Sequence, residues 1–106
     1  EGLKLVLQQL QKENFTRLHI VLGVVNDKDL NSILPLFPKD ADYYFAKPNV
    51  PRGMPAQILQ EESLKFGLNG EVYSSIYEAY ATARKRADTK DLIYIGGSNF
   101  TVAEVL

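Results

Sequence analysis

The chain has 106 residues, a length suited to one domain. With 45% apolar and 24% charged residues it can bury a core, which excludes intrinsic disorder. A net charge of −1, no cysteine and a single histidine exclude a basic nucleic-acid surface, a disulfide framework, a thiolate metal site and a histidine metal cluster.

Leu3, Val6, Leu7 and Leu10 recur at i, i+3, i+4 and i+7, predicting a helix over residues 3–13. The run LHIVLGVV (18–25) is nearly unbroken in apolar residues, as in a strand covered on both faces of a parallel sheet. Asn26, Asp27, Lys28 and Asp29 then supply N-cap candidates for a helix carrying Leu30, Ile33, Leu34 and Phe37. Pro35 should kink or shorten that helix, since it lacks an amide donor. A second strand, DYYFA (42–46), leads into KPNVPRG (47–53), which is too rich in Pro and Gly for regular structure. Pro55 falls in the first turn of the next helix, whose inner face is Ala56, Leu59, Ser63 and Phe66 and whose stop is Gly67. EVYS (71–74) predicts a short strand. Ser75 with Glu78 forms a capping box for a helix lined by Ile76, Ala79, Tyr80, Ala83 and Ala87. LIYIGG (92–97) predicts the last strand, and Thr101 with Glu104 reads as a second capping box opening a final helix.

Strict alternation of helix and strand predicts an α/β fold: a Rossmann-like three-layer domain, its mostly parallel sheet covered by helices on both faces. Residues 1–106 read as a single domain without repeats or linkers. Glu1 stands where an initiator Met would, and helical patterns run close to both ends. A fragment of a larger protein is therefore expected, lacking a strand before the first helix. No apolar run reaches the roughly 18–20 residues that span a bilayer, and no signal-peptide pattern opens the chain, so a cytoplasmic, non-membrane domain is expected.

Ligands of open α/β sheets bind at the carboxyl ends of strands. In VVNDKD, Asp27 and Asp29 flank Lys28 and could meet a metal–nucleotide complex or a substrate amine; spacing alone favours a helix cap for one Asp and a solvated Lys28. In KPNVPRG, Arg52 is a guanidinium on a stiffened loop, suited to a carboxylate or phosphate, although an exposed turn arginine explains it as well. In GGSN, Gly96 and Gly97 permit close backbone approach, but neither standard nucleotide fingerprint is present. A cap at Thr101 leaves Ser98 free in the loop. His19, inside a strand pattern, reads as a partly buried or edge histidine before a catalytic base. Tyr43, Tyr44, Phe45, Tyr73, Tyr77, Tyr80 and Tyr94 read as packing residues.

Taken together, HIVLGVVNDKDLNSIL, YYFAKPNVPRGMPAQIL and DLIYIGGSNFTVAEVL resemble the carboxyl-terminal domain of folylpolyglutamate synthases and their bifunctional dihydrofolate synthase relatives, within the Mur ligase superfamily. The elements that carry the resemblance are the D-K-D turn, the P-R-G turn and the closing G-S-x-x-T-V-x-E-V run, in family order and spacing. The resemblance implies a Mur ligase C-terminal fold and an ATP-dependent amide ligase that adds L-glutamate to folate or dihydropteroate through an acyl phosphate. It implies ATP and Mg²⁺ as cofactors, held mainly by an N-terminal ATPase domain of the same chain. Asp27, Lys28, Asp29, Arg52, Gly97 and Ser98 match family positions facing the interdomain cleft, with Ser98 expected to help hold glutamate. The family's D-G-A-H-N segment, which would precede Glu1, is absent from this sequence. No catalytic residue and no metal ligand is therefore assigned within the 106 residues, and the isolated chain is expected to be inactive.

Two other readings compete. A Mur-type ligase adding an amino acid in peptidoglycan synthesis shares the fold but fits the three turns less well. A non-catalytic flavodoxin-like or receiver-like module is of another class. It would need a phosphoacceptor Asp ending a strand and a late Lys after the last strand, whereas Lys90 precedes it.

Overall fold

The computed structural model describes residues 2–12 and 14–106. Among the described residues nine helices and strands alternate as expected: α1 (Gly2–Gln11), β1 (Leu18–Leu22), α2 (Leu30–Ile33) continuing into a 3-10 turn (Leu34–Leu36), β2 (Asp42–Phe45), α3 (Ala56–Leu64), β3 (Gly70–Val72), α4 (Ile76–Arg86), β4 (Leu92–Gly96) and α5 (Asn99–Ala103). The expected reach of α1 to residue 13 and the inward placement of the Leu3 side chain lie outside the described residues. Pro35 acts as its chemistry requires. The helix begun at Leu30 tightens into the 3-10 turn with Pro35 in its first positions, where a missing N–H is harmless. Gly67, at φ +80°, closes the segment after α3 in the left-handed conformation that terminates helices.

All four strands are parallel, in the order β3-β2-β1-β4. From β1 the chain steps outward to β2 and β3 through α2 and α3, then returns across the sheet through α4 to lay β4 on the other side of β1. Parallel neighbours require such crossovers, and the reversal makes the β1/β4 boundary a topological switch point.

Pleating sorts the strand residues onto two cores. Leu18, Ile20, Leu22, Tyr43 and Phe45 face Leu7 of α1, Leu30 and Leu34, and Leu59 of α3. Val21, Tyr44 and Ala46 face Ile76, Ala79 and Ala83 of α4, with Val105 joining them after α5. Each fully buried large aliphatic contributes about 1.5–3 kcal/mol, so the double-faced burial of β1 makes it the anchor of the fold. Of the predicted α1 face, Leu7 is buried and Leu10 packs against the core, while Val6 is 42% exposed beside β4.

His19 departs from expectation. It lies in the central strand β1, 3% exposed, rather than at an edge. Its Nε2–H donates to Asp91 Oδ2 (2.8 Å), and its Nδ1 pairs with the Tyr44 hydroxyl (2.8 Å). A polar ring in an apolar strand is tolerable only when both nitrogens are matched, as here. Its distance from the strands' carboxyl ends leaves it a packing residue.

Candidate functional site

The switch point opens a groove of about 440 Å³ beside Val25, bounded by Lys28, Gly96, Gly97, Ser98 and Asn99 on its polar side. Val6, Ile33, Tyr94, Phe100 and Val102 form its apolar wall. Burial pushes the Tyr94 phenol above its ordinary value, so it remains a protonated wall residue.

Backbone pairing decides where the loops sit. Val24 and Val25 continue beyond β1 as extended chain, and Val25 makes an antiparallel bridge with Gly53. Met54 N–H donates to Val24 O (2.8 Å) and Asn26 N–H to Arg52 O (2.7 Å). The P-R-G segment is thus stitched to the start of the D-K-D turn by main-chain bonds, which no side-chain substitution removes. Side chains reinforce the join: Arg52 Nη1 donates to Asp27 Oδ2 at 2.9 Å. Both residues are mostly exposed, so each remains within reach of a ligand.

Asp27 and Asp29 do not cap α2 with their side chains. Asp29 occupies the N-cap position, but its carboxylate accepts the Ser32 hydroxyl (2.6 Å) instead of a helix amide. Asp27 is drawn to Arg52. Lys28 is half-buried in the groove, and no ion pair holds it among the described residues. It is therefore the cation of this rim that is open to an incoming anion.

The closing segment requires the largest correction. Ser98, not Thr101, is the cap of α5: its Oγ accepts the amides of Phe100 (3.1 Å) and Thr101 (3.3 Å). Thr101 is fully buried inside the helix, and its hydroxyl donates to Gly23 O at 2.7 Å. Glu104 is no capping partner either; it accepts the backbone N–H of Asn49. Sequence reasoning missed both contacts because they join residues 78 and 55 positions apart. One signal was present, since Ser98 also precedes the helical pattern and serine is the better cap. Gly97 adopts φ +104°, and a side chain there would start 2.3 Å from Gly23 O, so the G-G-S turn lies directly against the end of β1.

The site is therefore one continuous rim made of the three turns. Residues 1–99 match the family described as Mur ligase, glutamate ligase domain. The chain belongs to this family. Among relatives, the probable bifunctional folylpolyglutamate synthase/dihydropteroate synthase of Haloferax volcanii is 33% identical over 98 residues, covering 90% of this chain and 12% of that protein. The structure of E. coli FolC in complex with DHPP and ADP matches with a TM-score of 0.81 at 32% identity, over 99% of this chain and 24% of that one. A bifunctional folylpolyglutamate synthase/dihydrofolate synthase solved with Mn, AMPPNP and L-glutamate bound matches with a TM-score of 0.86 at 27% identity, over 98% of this chain and 25% of that one. This glutamate ligase domain thus spans about a quarter of the solved chains it resembles, and less of the Haloferax protein. Among its described residues no three of His, Asp and Glu converge to hold a metal ion. No helix among them is long and apolar enough to cross a membrane.

Proposed function

We propose that this domain is the carboxyl-terminal half of the cleft in a cytoplasmic, ATP-dependent ligase that adds L-glutamate to folates. The addition extends the γ-linked tail of tetrahydrofolate, converts dihydropteroate to dihydrofolate, or both. The acceptor carboxylate is activated by ATP as an acyl phosphate, and the amino group of glutamate displaces the phosphate. The observation that carries the reading is the gathering of D-K-D, P-R-G and G-S into one rim at the β1/β4 switch point, in a domain whose relatives are named for this chemistry.

The reaction brings several anionic groups together, so the cleft must supply cations and hydrogen-bond donors. Lys28 and Arg52 supply charge from this side, and Ser98 supplies a hydroxyl for glutamate. Asp27 orients Arg52, Asp29 steadies the start of α2 through Ser32, and Gly97 lets the backbone pass close to β1. No three acidic or histidine side chains converge among the described residues, and on this reading metal ligation is assigned mainly to an N-terminal ATPase domain, with no step routed through the ion here. That domain is the partner the rim faces, and closure between the two would exclude water from the activated acyl group.

Full-length protein incubated with ATP, Mg²⁺, L-glutamate and either dihydropteroate or tetrahydrofolate should release ADP and form the glutamylated product. Turnover with muropeptide acceptors but not pteridines would assign the domain to a peptidoglycan ligase instead. The 106-residue chain by itself should neither hydrolyse ATP nor add glutamate, because half the cleft is missing.

A further inference from the structure

We infer that Thr101 is a positioning residue of the cleft, acting through the carbonyl of Gly23 to hold the Ser98 hydroxyl in place as a pure hydrogen-bond donor. This rests on the glutamate-ligase reading for its kinetic consequence but not for its geometry. Thr101 has no exposed surface, and its hydroxyl proton is committed to Gly23 O at 2.7 Å, since a carbonyl only accepts. The same Gly23 is bound on its other side, its N–H donating to Gly96 O (3.2 Å), while Gly97 abuts its carbonyl. The turn that carries Ser98 is thereby fastened to Gly23, just past β1, by three contacts, from Gly96, Gly97 and Thr101, and Val24 to Lys28 continue directly from the fastened residue.

The hydroxyl of Ser98 inherits its chemistry from this arrangement. Its oxygen already accepts two amides, which occupies both lone pairs, and only its proton remains. Thr101 Oγ1 is 3.5 Å away, too far for a strong competing acceptor. A ligand group meeting Ser98 must therefore be an acceptor, such as a carboxylate oxygen, and a donor-only ammonium is disfavoured there. In the proposed reaction this favours a carboxylate of glutamate at Ser98 over its protonated amino group.

The test is a donor-strength series in the full-length protein: Thr101→Ser keeps the hydroxyl, Thr101→Cys offers a weak donor, and Thr101→Val is isosteric without one. Expected results are a KM for glutamate near wild type for Ser and about tenfold higher for Val, with the KM for ATP little changed and Cys between them. If Val does not accumulate as folded protein, the Ser/Cys comparison decides. Amide exchange at Phe100 and Thr101, which reports the Ser98 cap without any substrate, should accelerate in Cys and Val but not in Ser. Equal kinetics for Ser and Val, or KM values for glutamate and ATP that rise together, would overturn the inference. Should wild type fail to act on folates, the glutamate-ligase reading falls while the exchange series still judges the tether: unaltered protection in Cys and Val would sink it.

Discussion

The Arg52 guanidinium donates to the Asp27 carboxylate across 2.9 Å, closing the P-R-G turn onto the D-K-D turn. Both partners are more than 60% exposed, at 62% and 67%, and pairs of that kind stabilise a fold by about 0–1 kcal/mol. The main-chain bonds between Asn26 and Arg52 and between Val24 and Met54 already join the loops. Arg52→Ala and Asp27→Ala should each shift urea-denaturation stability by less than about 1 kcal/mol. On the proposed role of Arg52 as a cation of the cleft, Arg52→Ala in the full-length protein should nevertheless lower kcat/KM about tenfold or more. A variant that loses stability and keeps its kinetics would reduce Arg52 to a fastening residue.

Ser98 has an observed role as the α5 cap and a proposed one toward glutamate, and substitution can separate them. Ser98→Ala removes the α5 cap, at about 1 kcal/mol, whereas glycine at a cap costs only a few tenths. If the hydroxyl also meets glutamate, Ser98→Ala and Ser98→Gly should raise the KM for glutamate alike, and more than that for ATP. A KM that follows stability, high for Ala and normal for Gly, would leave Ser98 a helix cap only.

Gly97 admits no side chain without strain. Its φ of +104° disfavours any L residue, and the Cβ would start 2.3 Å from a Gly23 carbonyl held by Thr101. Gly97→Ala should cost about 1–3 kcal/mol from backbone conformation alone, with the steric term added. Thermal melting of the variant beside Gly67→Ala, whose Cβ would meet only the flexible Lys39 side chain, isolates that added term.

The acid response follows from carboxylates held below their ordinary range, two of them by basic side chains. The hydrogen bond from His19, then the amide of Asp88, holds the Asp91 carboxyl below the ordinary range. Arg17 does the same for Asp42 through paired hydrogen bonds. A carboxyl depressed in the folded state stabilises it above the unfolded value of about 4, and that contribution is lost as pH falls through the lower folded value. Stability should therefore decline with acid below about pH 4. Asp91→Asn should be less stable at pH 7 and decline less steeply, with Asp42 and Glu78, the latter depressed by hydrogen bonds from Ser74, supplying the remaining slope. Parallel profiles for the variant and wild type would rule out the His19–Asp91 coupling.

Periodicity alone was enough to place the helices and strands, because the apolar spacing in α1, β1, α3 and α4 reports burial directly. The stop at Gly67, the break at Pro35 and the Ser75 cap were equally legible, each being a local matter of backbone freedom or a bond within a few residues. The three turns were also readable as a set, through their likeness to a family in which they occur together. Strand order was not, since any of several parallel arrangements satisfies the same alternation; the return of α4 across the sheet is a choice made by packing. Nor were the partners of Arg52, Thr101 and Glu104. Thr101 followed by Glu104 carries a valid local cap signature, yet the helix is capped at Ser98 and starts at Asn99, because a buried threonine hydroxyl gains more from the Gly23 carbonyl than from an amide that serine already serves. Contacts between residues dozens of positions apart have no periodic trace along the chain, so only the closed fold could decide them.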